Sequence, residues 1–248
     1  GYDSILCCTG YNLKNKISSM NLLISKKVDS IILVGSHFIC ESEADNKYIA
    51  DAAAQVPVML LNAALEAPNV YCVVSDDYTS MYEATLQMIQ SGITDIVYFY
   101  NSASYSGKKK LAGYRAAMEE HGLFKGEESM QFYQGSHEDI PAMTNYLRQL
   151  CQKGVVFRGI IAADDTLALA AVKYARESRL QIPKELAVIG YNNSMLAHCC
   201  DPELTSIDNK LETLCQHLIS TLLGVLGGSE MPKKTVFSGE LIKRGTTL

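Results

Sequence analysis

Four short polar clusters hold the side chains of this sequence best suited to meet a small molecule. Asp164 and Asp165 follow the apolar run Ile160-Ile-Ala-Ala. A carboxylate there accepts hydrogen bonds from hydroxyls or amines, or caps the next helix, whose positive dipole end favours an acid. Asn192 and Asn193 close the run Leu186-Ala-Val-Ile-Gly-Tyr191. An amide both donates and accepts, and Asn is equally a turn residue. Lys108, Lys109 and Lys110 form a cationic run, ordinarily a solvated face. His137 lies in Gln134-Gly-Ser-His, where a lone loop histidine is ordinarily solvated too. Tyr11, Tyr100 and Asn101 are weaker candidates at strand ends. In open α/β sheets ligands meet the carboxyl ends of strands, which is where Asp164 and Asn192 fall. No Gly-x-Ser-x-Gly, no phosphate loop ending in Gly-Lys-Ser/Thr and no His-Glu-x-x-His occurs. Acids at strand ends without a nucleophile–base pair favour binding over catalysis, so no enzyme is expected.

The elements that position these clusters alternate between short apolar runs and amphipathic stretches, the pattern of βα units and parallel sheets. Strand-length runs are Ser4–Cys8, Ser30–Val34, Val58–Leu61, Tyr71–Val74, Ile96–Tyr100, Met130–Tyr133, Gly159–Ala163 and Ala187–Tyr191, with a further short strand in Thr205-Ser-Ile207. Helical faces are predicted from Ile17, Met20, Leu23 and Ile24, and from Tyr82, Leu86 and Ile89. Others are Leu111, Tyr114 and Met118; Ile140, Met143, Leu147 and Leu150; and Leu211, Leu214, Leu218 and Leu222. Ser136, with Asp139 nearby, and Asp164 before Thr166 are the expected helix starts, Asp165 being the acid closer to a cap. Gly92, Gly122 and Gly154 are the expected stops.

The chain has 248 residues, 48% of them hydrophobic, and a net charge of −5, enough for one large domain or two lobes. The acidic balance argues against a nucleic-acid surface on this chain. No apolar run reaches the length of a membrane-crossing helix. Eight cysteines stand as two vicinal pairs, Cys7-Cys8 and Cys199-Cys200, and as scattered singles. Without Cys-x-x-Cys or paired histidines, neither a disulfide framework nor a zinc site is expected. The expectation is reduced, mostly buried thiols in a cytoplasmic protein, with no cofactor and no metal.

Four motifs in order resemble the effector-binding half of LacI-type transcription regulators. They are Lys108-Lys-Lys-Leu-Ala-Gly113-Tyr-Arg, Ile160-Ile-Ala-Ala-Asp164-Asp165, and Gly190-Tyr-Asn-Asn-Ser194 followed by Asp201-Pro-Glu-Leu-Thr-Ser-Ile207. The fourth is Gly239-Glu-Leu-Ile-Lys-Arg-Gly-Thr-Thr. The resemblance implies an α/β protein of the type I periplasmic-binding-protein kind, two Rossmann-like lobes with parallel sheets and three crossovers. One lobe would hold residues 1–76 and 208–233, the other residues 77–207 and 234–248. It implies that the first strand and helix of the N-terminal lobe, and the DNA-binding head, are absent from this chain. Gly1-Tyr2-Asp3 does not read as a natural start, so a fragment is expected.

The resemblance also implies a ligand set: Asp164, where relatives more often carry Asn; Asn192, where they carry an acid; Lys110, where they carry an arginine; and His137, where they place an aromatic ring. Asp76 and Asn209 fall at predicted crossings, where hinge and ligand contacts coincide. The implied effector is a small molecule, by family frequency a carbohydrate, neutral or mildly anionic. It would bind between the lobes and change the affinity of a homodimer for operator DNA. The alternative reading is an extracytoplasmic solute-binding protein feeding a sugar transporter, against which the cysteine pattern weighs.

Overall fold

A computed structural model describes residues 1–248. The chain divides into two compact units, one of residues 1–74, 104–106 and 212–237, the other of residues 75–103, 107–211 and 238–248.

The first unit is built on a four-stranded sheet. Its strands are β1 (Ile31–Val34), β2 (Val58–Leu61), β3 (Val70–Ser75) and β9 (Lys234–Phe237), in the order β1-β2-β3-β9. β1, β2 and β3 are parallel, with Ile31 opposite Val58 and Val58 opposite Val70. Alternation sorts β2 between two faces. Val58 and Leu60 pack with Met20 of α1 (Leu13–Ser25) and Ile49 of α2 (Lys47–Ala53). Met59 and Leu61 pack with Leu214, Leu218 and Leu222 of α8 (Leu211–Leu226). The Met20, Leu23 and Ile24 stripe of α1 is used in this core. Ser4–Cys8 forms no strand. It has no ladder partner, and without one an apolar run stays exposed, Leu6 at 90%.

The second unit holds a six-stranded sheet in the order β10-β8-β7-β6-β4-β5. β4 (Ile96–Tyr100), β5 (Met130–Phe132), β6 (Gly159–Ala162), β7 (Ala187–Tyr191) and β8 (Thr205–Asp208) run parallel. β10 (Glu240–Ile242) lies antiparallel on β8. Around it pack α3 (Asp77–Gln90), α4 (Tyr105–Glu120), α5 (Ile140–Gln152), α6 (Asp165–Glu177) and the short α7 (Met195–Cys199). β6 and β7 are buried along their whole length, as a sheet covered on both faces requires. α3 turns Met81, Ala84, Thr85 and Met88 inward. Tyr82, Leu86 and Ile89, the expected face, are only half-buried; Tyr82 keeps its hydroxyl at the surface, where it donates to Glu120 Oε2.

Caps differ in detail from the sequence expectation. Asp139, not Ser136, caps α5 by accepting from the Ala142 N–H at 2.9 Å, because it sits one residue before the helix while Ser136 is three residues further out. Gly92, Gly122 and Gly154 stop their helices with φ of 87°, 67° and 90°, values that only glycine adopts without strain. All eight thiols are free, but only Cys72 and Cys200 are buried. Cys215 packs partly buried against the α8 core, and the rest lie in loops, in the amino-terminal segment or on outward helix positions, so the expectation of mostly buried thiols fails.

Candidate functional site

Three neighbouring strands of the six-stranded sheet, β8, β7 and β6, end in polar residues on the same edge. They deliver Asn209, Asn192 and Asp164 side by side. Asp164 caps α6: its Oδ1 accepts from the Leu167 N–H at 2.8 Å, and its Oδ2 has no protein partner. The cap therefore leaves one carboxylate oxygen uncommitted. Asn192 has φ of 99° and Asn193 of 46°, and the side chain of Asn192 is exposed. Asn209 donates its amide to Asn192 Oδ1 at 3.1 Å, which turns the Asn192 Nδ2 outward as a donor. The Oδ1 of Asn209 is buried and accepts no hydrogen bond, a costly state for an amide.

The remaining expected residues are placed differently. His137 belongs to the exposed loop after β5, and its Nδ1 accepts from Asn101 Nδ2 at 2.8 Å. Asp76 caps α3, accepting from the Thr79 N–H at 3.1 Å. Lys110 of α4 is buried, and its ammonium donates to the Ala163 carbonyl at 2.9 Å while lying 3.5 Å from the centre of the Tyr191 ring. Burial lowers its pKa, and the charges of Asp77, Asp164 and Asp165 act against that lowering. Lys110 thus supports the end of β6 from within the unit.

Three residues under this edge were passed over or misjudged from sequence. Asp77, the first residue of α3, is buried and accepts from the Tyr191 hydroxyl at 2.5 Å. Burial first, then the Asp77 charge, pushes the Tyr191 phenol well above its usual range. Asp165, read as the residue nearer a cap, is instead buried at 2% exposure. Its Oδ2 accepts from the Ser194 N–H at 2.7 Å and its Oδ1 from the Ser206 hydroxyl at 2.6 Å. Burial raises its pKa, opposed by those hydrogen bonds. Arg244 reaches Asn193 Oδ1 at 2.6 Å and the Leu204 carbonyl at 2.7 Å. The doubled acids Asp76-Asp77 and Asp164-Asp165 were a signal for two of these: at a strand-to-helix junction, one member caps and its neighbour points inward.

The first unit has its own polar loop after β1. Lys16 of α1, buried, donates its ammonium to the His37 carbonyl. The Tyr48 hydroxyl donates to the Phe38 carbonyl at 2.8 Å, and the Asn46 amide clasps both backbone groups of Cys40 at 2.7 and 3.0 Å. Burial, then the Lys16 charge, lowers the His37 pKa. Nothing in the spacing of this loop marked it beforehand.

No group of three or more His, Cys, Asp or Glu side chains is arranged to hold a metal, and no helix is long and apolar enough to cross a membrane. A family profile described as a periplasmic binding protein-like domain matches residues 85–247. An HTH-type transcriptional regulator of Lachnoclostridium phytofermentans is 47% identical over 247 residues, covering 100% of this chain and 73% of the relative. The HTH-type transcriptional regulator AscG of Escherichia coli is 25% identical, covering 100% of this chain and 72% of its own. Among solved structures, a sugar-binding transcriptional regulator of the LacI family from Escherichia coli, complexed with phosphate, superposes with a TM-score of 0.82 at 24% identity. That match covers 95% of this chain and 83% of the other.

Proposed function

The chain belongs to the LacI family of transcription regulators as its periplasmic-binding-protein-like, effector-binding part, and from that premise we propose that its effector is a neutral sugar bound at the edge formed by Asp164, Asn192 and Asn209. The observation that carries this reading is the set of unspent groups on three adjacent strand ends. Asp164 Oδ2 and the buried Asn209 Oδ1 are acceptors without donors, and Asn192 Nδ2 is an outward donor. Vicinal hydroxyls, each donor and acceptor at once, match an edge that alternates the two. His137, from the loop after β5, and Asp76, at the start of α3, complete the proposed set.

The one cation expected to grip an anionic ligand, Lys110, is occupied by Ala163 and Tyr191. This favours a neutral sugar over a sugar acid. In the full-length regulator, effector binding changes the operator affinity of a DNA-binding head in a cytoplasmic homodimer, a coupling free energy between two sites. Two heads on a two-fold dimer meet two operator half-sites.

The test is a thermal-shift screen of the chain against D-glucose, D-galactose, L-arabinose, cellobiose, D-gluconate and D-glucose 6-phosphate, with spermidine as a cationic control. A neutral sugar at a hundred times its Kd stabilises by about 2.7 kcal/mol, a shift of several degrees. Stabilisation by the acid, the phosphate or spermidine, with none by a neutral sugar, overturns the reading.

A further inference from the structure

The Asn192–Ser194 turn is held from below by groups that cannot reach a ligand. Its backbone is left-handed at two consecutive non-glycine residues, φ 99° and 46°, a conformation disfavoured for residues with a Cβ unless the surroundings impose it. Two arms impose it. In the first, the Asn193 N–H donates to Ser206 Oγ at 3.0 Å, Ser206 donates onward to Asp165 Oδ1 at 2.6 Å, and Asp165 Oδ2 takes the Ser194 N–H at 2.7 Å. One buried carboxylate thus fixes two successive amides of the turn, one directly and one through a hydroxyl. In the second arm, Arg244 donates to Asn193 Oδ1 at 2.6 Å, and Asn193 Nδ2 points to Asp208 Oδ2 at 3.4 Å.

The cost of this arrangement is visible in the neighbouring strand. A Cβ on Gly190 would stand 2.3 Å from Asp165 Oδ1 and 2.8 Å from Leu204 Cδ2, so the carboxylate can occupy its place only because residue 190 has no side chain. With Asn193 fully committed, Asn192 is the one side chain of the pair left to face outward.

We propose that Asp165, through Ser206, together with Arg244, are positioning residues that lock the Asn192–Ser194 turn and so decide which way the Asn192 amide is offered to the effector. The proposal about affinity rests on the ligand edge assigned above; the lock itself is a property of the chain without ligand and is tested without one.

The experiment is amide hydrogen exchange, followed residue by residue by NMR on the ligand-free chain, in wild type, Ser206→Ala and Arg244→Gln. Ser206→Ala removes one oxygen and with it the relay. The expected result is exchange at Asn193 faster by about tenfold or more, with the Ser194 amide and the amides of α6 and β7 unchanged within about threefold, as a local opening requires. Arg244→Gln is expected to speed the same amide less and supplies the reading if Ser206→Ala does not fold.

Unchanged exchange at Asn193 in a folded Ser206→Ala chain overturns the lock, and so does acceleration spread evenly over the sheet, which marks general destabilisation. A second readout uses D-glucose, D-galactose and cellobiose by calorimetry: affinity about tenfold weaker in Ser206→Ala, measured well below its melting temperature, is expected. Full affinity there despite faster exchange overturns the positioning role. If none of the three sugars binds the wild type, the sugar reading fails while the exchange result still decides the lock.

Discussion

Lys16 in the first unit and Lys110 in the second are both buried, at 3% and 8% exposure. Each comes from a helix and donates its ammonium to a carbonyl beyond a parallel strand, His37 after β1 and Ala163 after β6. Each lies against an aromatic ring, 5.6 Å from the centre of Phe38 and 3.5 Å from that of Tyr191. Burial lowers the pKa of both. They differ in counter-charge. Asp77, Asp164 and Asp165 act on Lys110, whereas the only titratable group that favours the charged form of Lys16 is the Cys40 thiol. The second unit therefore carries a compensated cluster under its proposed ligand edge, and the first carries a cation held by a backbone dipole and a ring. A compensated buried charge is hard to remove, because what remains is uncompensated. An uncompensated one is easily replaced by an apolar side chain of similar length.

Substitution by methionine breaks this comparison at its widest point. Lys110→Met leaves the buried Asp77 and Asp165 without their cation and is expected to cost about 3 kcal/mol of stability or more. Lys16→Met is expected to fall within about 1 kcal/mol of wild type, of either sign. Urea denaturation of the two variants measures the gap. Equal losses would show that the counter-charge is irrelevant and that packing of the lysine stems dominates.

Asp164→Ala tests whether the two oxygens of that carboxylate have separate duties. Loss of the cap is expected to cost about 1 kcal/mol of stability, and loss of the Oδ2 acceptor to weaken binding of the proposed sugar by about ten- to a hundred-fold. Asp164→Asn keeps an acceptor for the Leu167 N–H and is expected to recover most of the stability. Calorimetry beside a melting curve separates the terms; a variant that loses stability but keeps full affinity would reduce Asp164 to a cap.

A smaller effect tests the burial of Lys16 by pH. A lysine with a folded-state pKa below its unfolded value binds its proton less tightly in the fold. Its stability contribution is present above the unfolded pKa, near 10.4, and is lost as the pH falls through the lowered value. Wild type should therefore gain stability relative to Lys16→Met as the pH is raised from 7 towards 10, followed by urea midpoints at each pH. Parallel curves for the two proteins would mean that Lys16 keeps its ordinary titration despite burial.

The opposite sign holds for Asp165, whose raised pKa makes the fold bind its proton more tightly. Its contribution is present below the unfolded value, near 3.9, and is lost as the pH rises through the raised one. Between pH 4 and 7, wild type is expected to lose stability relative to Asp165→Asn. A difference that does not change over that range would refute the burial effect.

Local pattern determined most of the scaffold. Ile96–Tyr100 and Ala187–Tyr191 are legible as strands because they are rich in β-branched and aromatic residues, and Val58–Leu61 because a short wholly apolar run suits a sheet covered on both faces. Gly92, Gly122 and Gly154 are legible as stops because few other residues reach positive φ cheaply. The polar strand ends at Asp164 and Asn192 are legible because a polar pair after an apolar run marks the end of a buried strand.

Tertiary structure decided what those pairs do. Which of Asp164 and Asp165 caps the helix and which turns inward depends on Ser194 and Ser206, brought in from other strands. Lys110, singled out by the resemblance as a ligand contact, is instead carried by α4 over Tyr191, 81 positions away in sequence. Ser4–Cys8 has the composition of a strand and is not one, since a strand exists only with a ladder partner. Propensity and periodicity act over a few residues and can be read along the chain. Hydrogen-bond partners and counter-charges are set by distance in space, and only the packed sheets bring those residues together.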